Sequence, residues 1–329
     1  MNARVSTQQK SDLRRAAVRA RGAPSVHNTQ PWRFHLSPGE LSIYADRSRQ
    51  LTVLDPTARS LTISCGCALM NARVSLAASG AGVEVQRFPD PGEPDLFARL
   101  VSSEIGEDNT DRLAALDPVL ELRQTNRREF VDNDVPEALI ETLEDAAARE
   151  GSTLFVIRTD DQRLTVATLS QQADAIENVS PAYRAELRAW TTDDSARMDG
   201  VPGIAVPHVD AGAEDEVPIR DFDARGTGGL PVRTHSSRNQ CLILLCTNGD
   251  GPMDWLRAGE ALERVLLEIT RHGYVASPLT QVTEVPSSRV HLRQELGLIG
   301  YPHVLLRIGR APLTPGSRRR RLVDVLIED

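Results

Sequence analysis

Apolar positions recur at helical spacing from about Ser11 to Arg21, with Leu13, Ala16, Ala17 and Ala20 on one face. Gly22, Ala23 and Pro24 end that pattern, and a polar loop follows. Trp32-Arg33-Phe34-His35-Leu36 and Leu41-Ser42-Ile43-Tyr44-Ala45 then alternate as a strand pair around a Pro38-Gly39 turn. Ala58 to Ala78 is a long, largely apolar helix, and Gly80 to Phe88 turns into another strand. Beyond it, Pro136 to Arg149 is amphipathic through Leu139, Ile140, Leu143 and Ala147. Gly151 stops that helix before the strand Thr153-Leu154-Phe155-Val156-Ile157. After a polar run come a buried strand from Cys241 to Cys246, a helix from Trp255 to Arg271 and a final strand from Val304 to Ile308.

The order partly repeats. Gly66-Cys67-Ala68-Leu69 stands against Gly259-Glu260-Ala261-Leu262 at an offset of 193, and at the same offset Val74, Leu76 and Gly80 fall on Leu267, Ile269 and Gly273. The preceding strands do not keep the offset, so the second copy carries about 72 extra residues if the helices correspond. Much of that excess lies near 190–240, around Asp193-Asp194, Gly200, Pro202, Gly203, Pro207, Gly226, Gly228 and Gly229. A connection that long is either a functional cover or a disordered insertion, and a lid is the expectation here.

Composition narrows the function classes. The chain has 329 residues, 40% apolar and 26% charged, as an ordinary globular protein does. A net charge of −8 argues against a nucleic-acid partner. No stretch reads as a membrane span of roughly 20 apolar residues, and MNARVSTQQK lacks the apolar core of a signal peptide. The expectation is therefore a cytoplasmic protein with no membrane partner. Cys65, Cys67, Cys241 and Cys246 then read as free thiols, and neither they nor the seven histidines form a metal pattern.

Two regions concentrate chemistry. The loop Ala23-Pro24-Ser25-Val26-His27-Asn28-Thr29-Gln30-Pro31-Trp32-Arg33-Phe34 gathers hydroxyl, amide and imidazole groups between a helix end and a strand start. Asn28 and Gln30 each donate and accept, as the edge of a flat heteroaromatic ring requires, and Trp32 adds an apolar wall. A simple capped loop before an edge strand fits the same residues. In Arg123-Gln124-Thr125-Asn126-Arg127-Arg128-Glu129-Phe130, arginines flank a hydroxyl. Such guanidinium forks converge on one phosphate or form a solvated basic turn. The run Arg318 to Arg321 is long enough for one small phosphate or is a basic tail, and the Leu322-Val323-Asp324-Val325-Leu326 ending argues for docking. There is no G-x-G-x-x-G after a strand, no P-loop and no nucleophile elbow.

The first loop resembles the P-S-x-x-N-x-Q-P-W-x-F segment of nitroreductase-like flavoproteins at seven positions in order. That resemblance implies contact of Pro24, Ser25, Asn28, Thr29, Gln30, Pro31 and Trp32 with an FMN ring across a dimer interface. The arginine element resembles the family's R-x-S-x-R-x-F opening, which implies that Arg123, Thr125 and Arg127 hold the FMN phosphate and ribityl chain. The family's C-terminal arginine pair matches Arg319 and Arg320. Pro278, Leu279 and Thr280 fall where family backbone passes near flavin N5, so no side chain is implied as a catalytic acid or base.

A family member usually opens with the arginine motif and pairs with a second copy. Here that motif starts the second half, while the amide-rich loop lies only in the first. The chain resembles the actinobacterial Acg-like subgroup, which carries a lid over the flavin. The expected fold is α+β and nitroreductase-like, duplicated in tandem so that one chain makes a pseudo-dimer and acts as a monomer. Residues 1–115 and 116–329 would be its halves, with the lid insertion in the second. The implied activity is transfer of hydride from NAD(P)H to FMN and on to a nitroaromatic or quinone acceptor. An FMN-storage protein without turnover is the rival, and a flavin-free scaffold is a third reading.

Overall fold

The computed structural model describes residues 7–103, 110–131, 134–206, 217–222, 230 and 240–329. Of the expected lid residues, Pro207, Gly226, Gly228 and Gly229 lie outside these.

The first sheet starts from α1 (Thr7–Ala20), which buries the expected stripe of Leu13, Ala16, Ala17 and Ala20. β1 (Trp32–Ser37) and β2 (Glu40–Ala45) form the expected hairpin, with Phe34 opposite Ile43. α2 (Arg59–Ala78) leads to β3 (Val83–Arg87) and β4 (Leu96–Ser102). The short α3 (Thr110–Ala114) packs on α2.

The second sheet starts from α4 (Glu137–Ala148) and β5 (Ser152–Ile157). Then come α5 (Asp160–Val179), α6 (Pro181–Trp190) and the short parallel pair β6 (Thr191–Thr192) and β7 (Val201–Pro202). β8 (Cys241–Thr247), α7 (Pro252–Arg271) and β9 (Val275–Pro278) follow. α8 (Gln281–Glu284), α9 (Pro286–Glu295), β10 (Tyr301–Gly309) and β11 (Leu326–Glu328) complete the chain.

The two sheets share one wiring. The first has the order β1-β2-β4-β3 and the second β5-β8-β10-β9, with every neighbouring pair antiparallel. β11 then crosses to the first sheet and pairs in parallel with β1, Phe34 against Leu326. The extra length of the second unit falls inside its first hairpin. β1 and β2 are joined by Pro38 and Gly39, whereas β5 and β8 are separated by α5, α6, β6 and β7. The polar run after Ile157 is thus partly helical, and α5 opens with a capping box between Thr159 and Gln162.

α2 and α7 cross at the centre of the molecule. A Cβ on Gly66 would lie 2.1 Å from the Leu256 carbonyl oxygen, and one on Gly259 would lie 2.0 Å from that of Ile63. Both distances are far inside contact range, so the backbones meet only because neither residue has a side chain. A buried ion network crosses the same seam. Arg73 of α2 reaches Glu150 at 2.6 Å and Glu260 of α7 at 2.7 Å, and Arg264 of α7 reaches Glu150 at 2.6 Å.

Contrary to expectation, one stretch does have the length and apolarity of a membrane span, the 20-residue helix α2. Its hydropathy reflects a central position instead, since 94% of that window is buried inside the protein. Cys65 and Cys67 on this helix are buried, and all four cysteines are free.

Candidate functional site

Both chemistry-bearing segments converge on one place. Two adjoining cavities share Pro24, Ser25, His27, Thr125 and Arg127 in their walls. The first is largely apolar, with Ile63, Cys67, Leu262, Leu266, Pro278 and Phe222 among its lining. The second is basic, with Arg21, Arg123 and Arg319.

Local structure explains the convergence. The loop after α1 holds three non-glycine residues at positive φ: His27 at 45°, Asn28 at 53° and Gln30 at 51°. Such a conformation is strained for side-chain-bearing residues and persists only when surroundings fix it. Here hydrogen bonds do so. Ser25 Oγ accepts from the Gln30 N–H at 2.9 Å, and the Val26 N–H donates to Ser64 Oγ at 3.1 Å. The arginine segment is tied to β9, where Thr125 pairs with Ala276 and the Asn126 N–H donates to the Ala276 carbonyl at 2.9 Å.

The amides of the loop face the chain itself. Asn28 Nδ2 donates to the Gly200 and Arg318 carbonyls at 2.8 and 3.1 Å, while Oδ1 accepts from Arg319 at 3.0 Å. Gln30 Nε2 donates to the Met198 carbonyl at 2.8 Å, and Oε1 accepts from the Arg320 N–H at 2.7 Å. These bonds dock the C-terminal segment and so bring Arg319 to the basic cavity.

Of the residues implied by resemblance, Pro24, Ser25, Asn28, Thr125, Arg123, Arg127, Pro278, Thr280 and Arg319 line one or both cavities. Thr29, Gln30, Pro31, Trp32, Leu279 and Arg320 line neither. Trp32 is fully buried beside Phe34 in the core, so it is no wall of the site. Leu279 belongs to the core under β10, and Arg320 turns toward Asp46 at 3.7 Å.

The charges are crowded. Burial and the neighbouring Arg123 pull the Arg319 guanidinium down to about 9, and burial and Arg220 pull Arg127 to about 10. Arg127 lies 4.8 Å from the centre of the Phe222 ring. Burial, then Arg220 and Arg127, hold His27 well below the ordinary histidine range, so it is neutral. Its Nε2 faces Arg220 Nη1 at 2.7 Å. A guanidinium only donates, so Nε2 accepts and the proton sits on Nδ1.

Several wall residues carry no sequence signal. Ile219, Arg220 and Phe222 come from the aperiodic run before β8 and line the apolar cavity. Arg220 is buried and pairs with Glu284 and, at 3.6 Å, with Glu177. Arg59 caps the cavity from the start of α2, donating to the His303 carbonyl at 3.2 Å and the Thr283 carbonyl at 2.6 Å. Arg21 at the end of α1 was legible only as a basic residue in a last helical turn.

No family model matches the chain. Among proteins of Mycobacterium tuberculosis, it is 33% identical over 309 residues to one provisionally named an NAD(P)H nitroreductase, covering 92% of this chain and 88% of that one. The chain belongs to the NAD(P)H nitroreductase-like family. Acg of the same organism is 31% identical over 320 residues, covering 95% of each chain. Among solved structures, the FMN-dependent nitroreductase NfnB of Mycobacterium smegmatis in complex with NADPH covers 64% of this chain and 96% of its own, with 16% identity and a TM-score of 0.40. A nitroreductase of Desulfitobacterium hafniense with bound FMN gives 13% identity, 63% and 94% coverage and the same score of 0.40.

Proposed function

We propose that the two joined cavities hold one FMN and that this member of the nitroreductase-like family is an FMN-dependent NAD(P)H oxidoreductase. One observation carries the reading. An apolar cavity opens into a basic one, and both sequence motifs contribute to the shared wall at Pro24, Ser25, Thr125 and Arg127. The basic end fits a phosphate monoester. Arg21 and Arg319 each have a buried Nε without a hydrogen-bond acceptor, and Arg123 Nε meets only the buried Glu263 carboxylate, at 3.3 Å. Unsatisfied buried donors of this kind are costly unless a ligand engages them. Arg123, Arg319 and Thr125 would hold the phosphate, and Arg127 would stand between it and the ring.

Bound FMN would supply hydride acceptance and release, which no side chain provides. The chain's own groups would orient the ring against Pro24, Pro278 and Leu262 and exclude water. The acceptor is proposed to be a nitroaromatic or quinone that stacks in the apolar cavity.

We further read the chain as an internal pseudo-dimer of halves 1–115 and 116–329. The shared strand order and the reciprocal approach of Gly66 and Gly259 support this reading. A monomer would then be sufficient for one complete site. Ile219, Arg220 and Phe222 support a lid from the 190–240 insertion.

Stopped-flow mixing of the yellow protein with NADPH and NADH tests the reading. Bleaching by a nicotinamide, followed by reoxidation with a nitroaromatic or quinone, is the expected result. Bleaching by dithionite alone would instead mark a flavin store, and a colourless protein that ignores added FMN would overturn both.

A further inference from the structure

Behind the basic cavity stands a carboxylate that the flavin motifs do not include. Glu263 of α7 is fully buried, and it lies 3.3 Å from Arg123 Nε. The Asn71 side chain bears on it as a hydrogen-bond donor, and Arg123 as the nearest charge. It is not part of either cavity wall, whereas Arg123 and Arg319 are. The groups that bear on it come from every side: Arg123 from the segment before α4, Arg319 from the C-terminal segment, and Asn71 and Cys67 from α2. Arg21, from the end of α1, bears on Arg319 in turn.

The arrangement has an electrostatic consequence. Two buried guanidinium groups repel each other, and Glu263 is their shared counter-ion. Burial nevertheless pushes its carboxyl up to about 7, against the pull of Arg123 and Arg319. A phosphate dianion in the basic cavity gives the arginines a second counter-charge. It also places a new negative charge one guanidinium away from Glu263, which disfavours the ionised carboxylate.

We infer that Glu263 is a proton-linked positioning residue: it holds Arg123 and Arg319 ready for a phosphate monoester and takes up a proton when that monoester binds. The inference rests on the reading of the basic cavity as the FMN phosphate site. It adds a coupling that the family motifs do not contain. Cofactor retention becomes pH-dependent through a residue that never touches the cofactor, and an acidic shift tightens it.

The sign follows from linkage. A group that binds a proton only in the complex weakens binding as pH rises past its value in the free protein. FMN's own phosphate ionises a second time near pH 6, so it contributes little at pH 8.

The test is calorimetric titration of FMN into flavin-free full-length protein at pH 8, in buffers of different ionisation enthalpy. The wild type should take up between about half and one proton per FMN bound. Its affinity, followed by flavin fluorescence, should fall roughly three- to fivefold from pH 7 to pH 8. Glu263→Gln should bind FMN at pH 8 with little proton uptake and with a nearly flat profile from pH 7 to pH 8, below the range in which Arg319 loses its charge. Binding by the wild type without proton uptake, or an equal uptake by Glu263→Gln, would overturn the inference and leave the proposed function standing. No FMN binding by a folded wild type would overturn both. The wild-type proton count decides the matter even if the variant folds poorly.

Discussion

Gly66 and Gly259 approach each other reciprocally at the crossing of α2 and α7. A Cβ on the first would lie 2.9 Å from the Cα of the second, and the reverse distance would be 2.8 Å. Each also sits over a carbonyl of the opposite helix, Leu256 for Gly66 and Ile63 for Gly259, and both pairs are related by the same offset of 193 residues. Contacts in which residue i meets j′ and j meets i′ are the mark of a two-fold interface. Ile63 of α2 and Leu262 of α7, three residues from these glycines, line the apolar cavity, so the helix spacing also sets its width.

Gly66→Ala and Gly259→Ala should therefore destabilise the protein severely, by about 3 kcal/mol or more each, because the clash is with backbone. Gly80→Ala is the control. Gly80 has a φ of +69° but nothing within 4 Å of an added Cβ. It should cost only about 1–2 kcal/mol. Urea denaturation of the three variants gives the ranking, and equal losses would refute the close-packed seam.

Stability should fall between pH 6.5 and 8. Burial raises the carboxyls of Glu177 and Glu263 to about 7. A carboxyl raised above its unfolded value near 4.3 makes the fold less stable as it ionises, so the loss accumulates up to its folded value. His27 and His303 are held below the ordinary histidine range, His303 at about 3, and act in the opposite sense as the unfolded histidines lose their protons near pH 6.5, which offsets part of that loss. Between pH 6.5 and 8 the carboxyls dominate, with a loss on the order of 1 kcal/mol. Denaturation of flavin-free protein at the two pH values measures it. A pH-independent midpoint would contradict the burial of these acids.

Gln30 separates docking from direct contact. Its replacement by alanine leaves the Arg320 N–H and the Met198 carbonyl without their partner. The expected cost is about 1–3 kcal/mol of stability, with weaker FMN retention as a secondary effect of a loosened Arg319. Thermal melts of the flavin-free variant check this. Lost FMN affinity at unchanged stability would mean instead that the Gln30 amide touches the ring.

Arg319 and Arg320 are adjacent yet should behave differently. Arg319 lines the basic cavity, whereas Arg320 pairs with Asp46 outside both cavities. Arg319→Ala should weaken FMN binding by roughly ten- to a hundredfold, as loss of a charge-assisted phosphate contact does. Arg320→Ala should change it by less than about threefold, because its side chain lines neither cavity. Fluorescence titration of both variants distinguishes them.

Much of this architecture is readable from residue patterns. Helix stripes located α1, α4 and α7, and the glycine offset related α2 to α7 before any sheet order was known. β4 and β11 were missed because Leu96–Ser102 lacks clean alternation and Leu326–Glu328 is short and pairs across the whole chain. α5 was missed although Thr159 and Gln162 spell a capping box, since its polar faces mask the period. At the site, residue types were legible and directions were not. Asn28 and Gln30 have the donors a ring edge needs, but positive φ turns their amides toward the C-terminal segment. Arg220 and Glu263 gave no signal, because their roles arise from burial against distant elements.

The central claim is that an amide-rich loop and an arginine segment, nearly a hundred residues apart, build one cofactor site in one chain. Equilibrium dialysis of FMN against Arg123→Ala/Arg127→Ala tests it most directly. At least a hundredfold loss of affinity, in a variant whose circular dichroism matches the wild type, is the expected result. Retention of FMN at wild-type affinity would contradict the account.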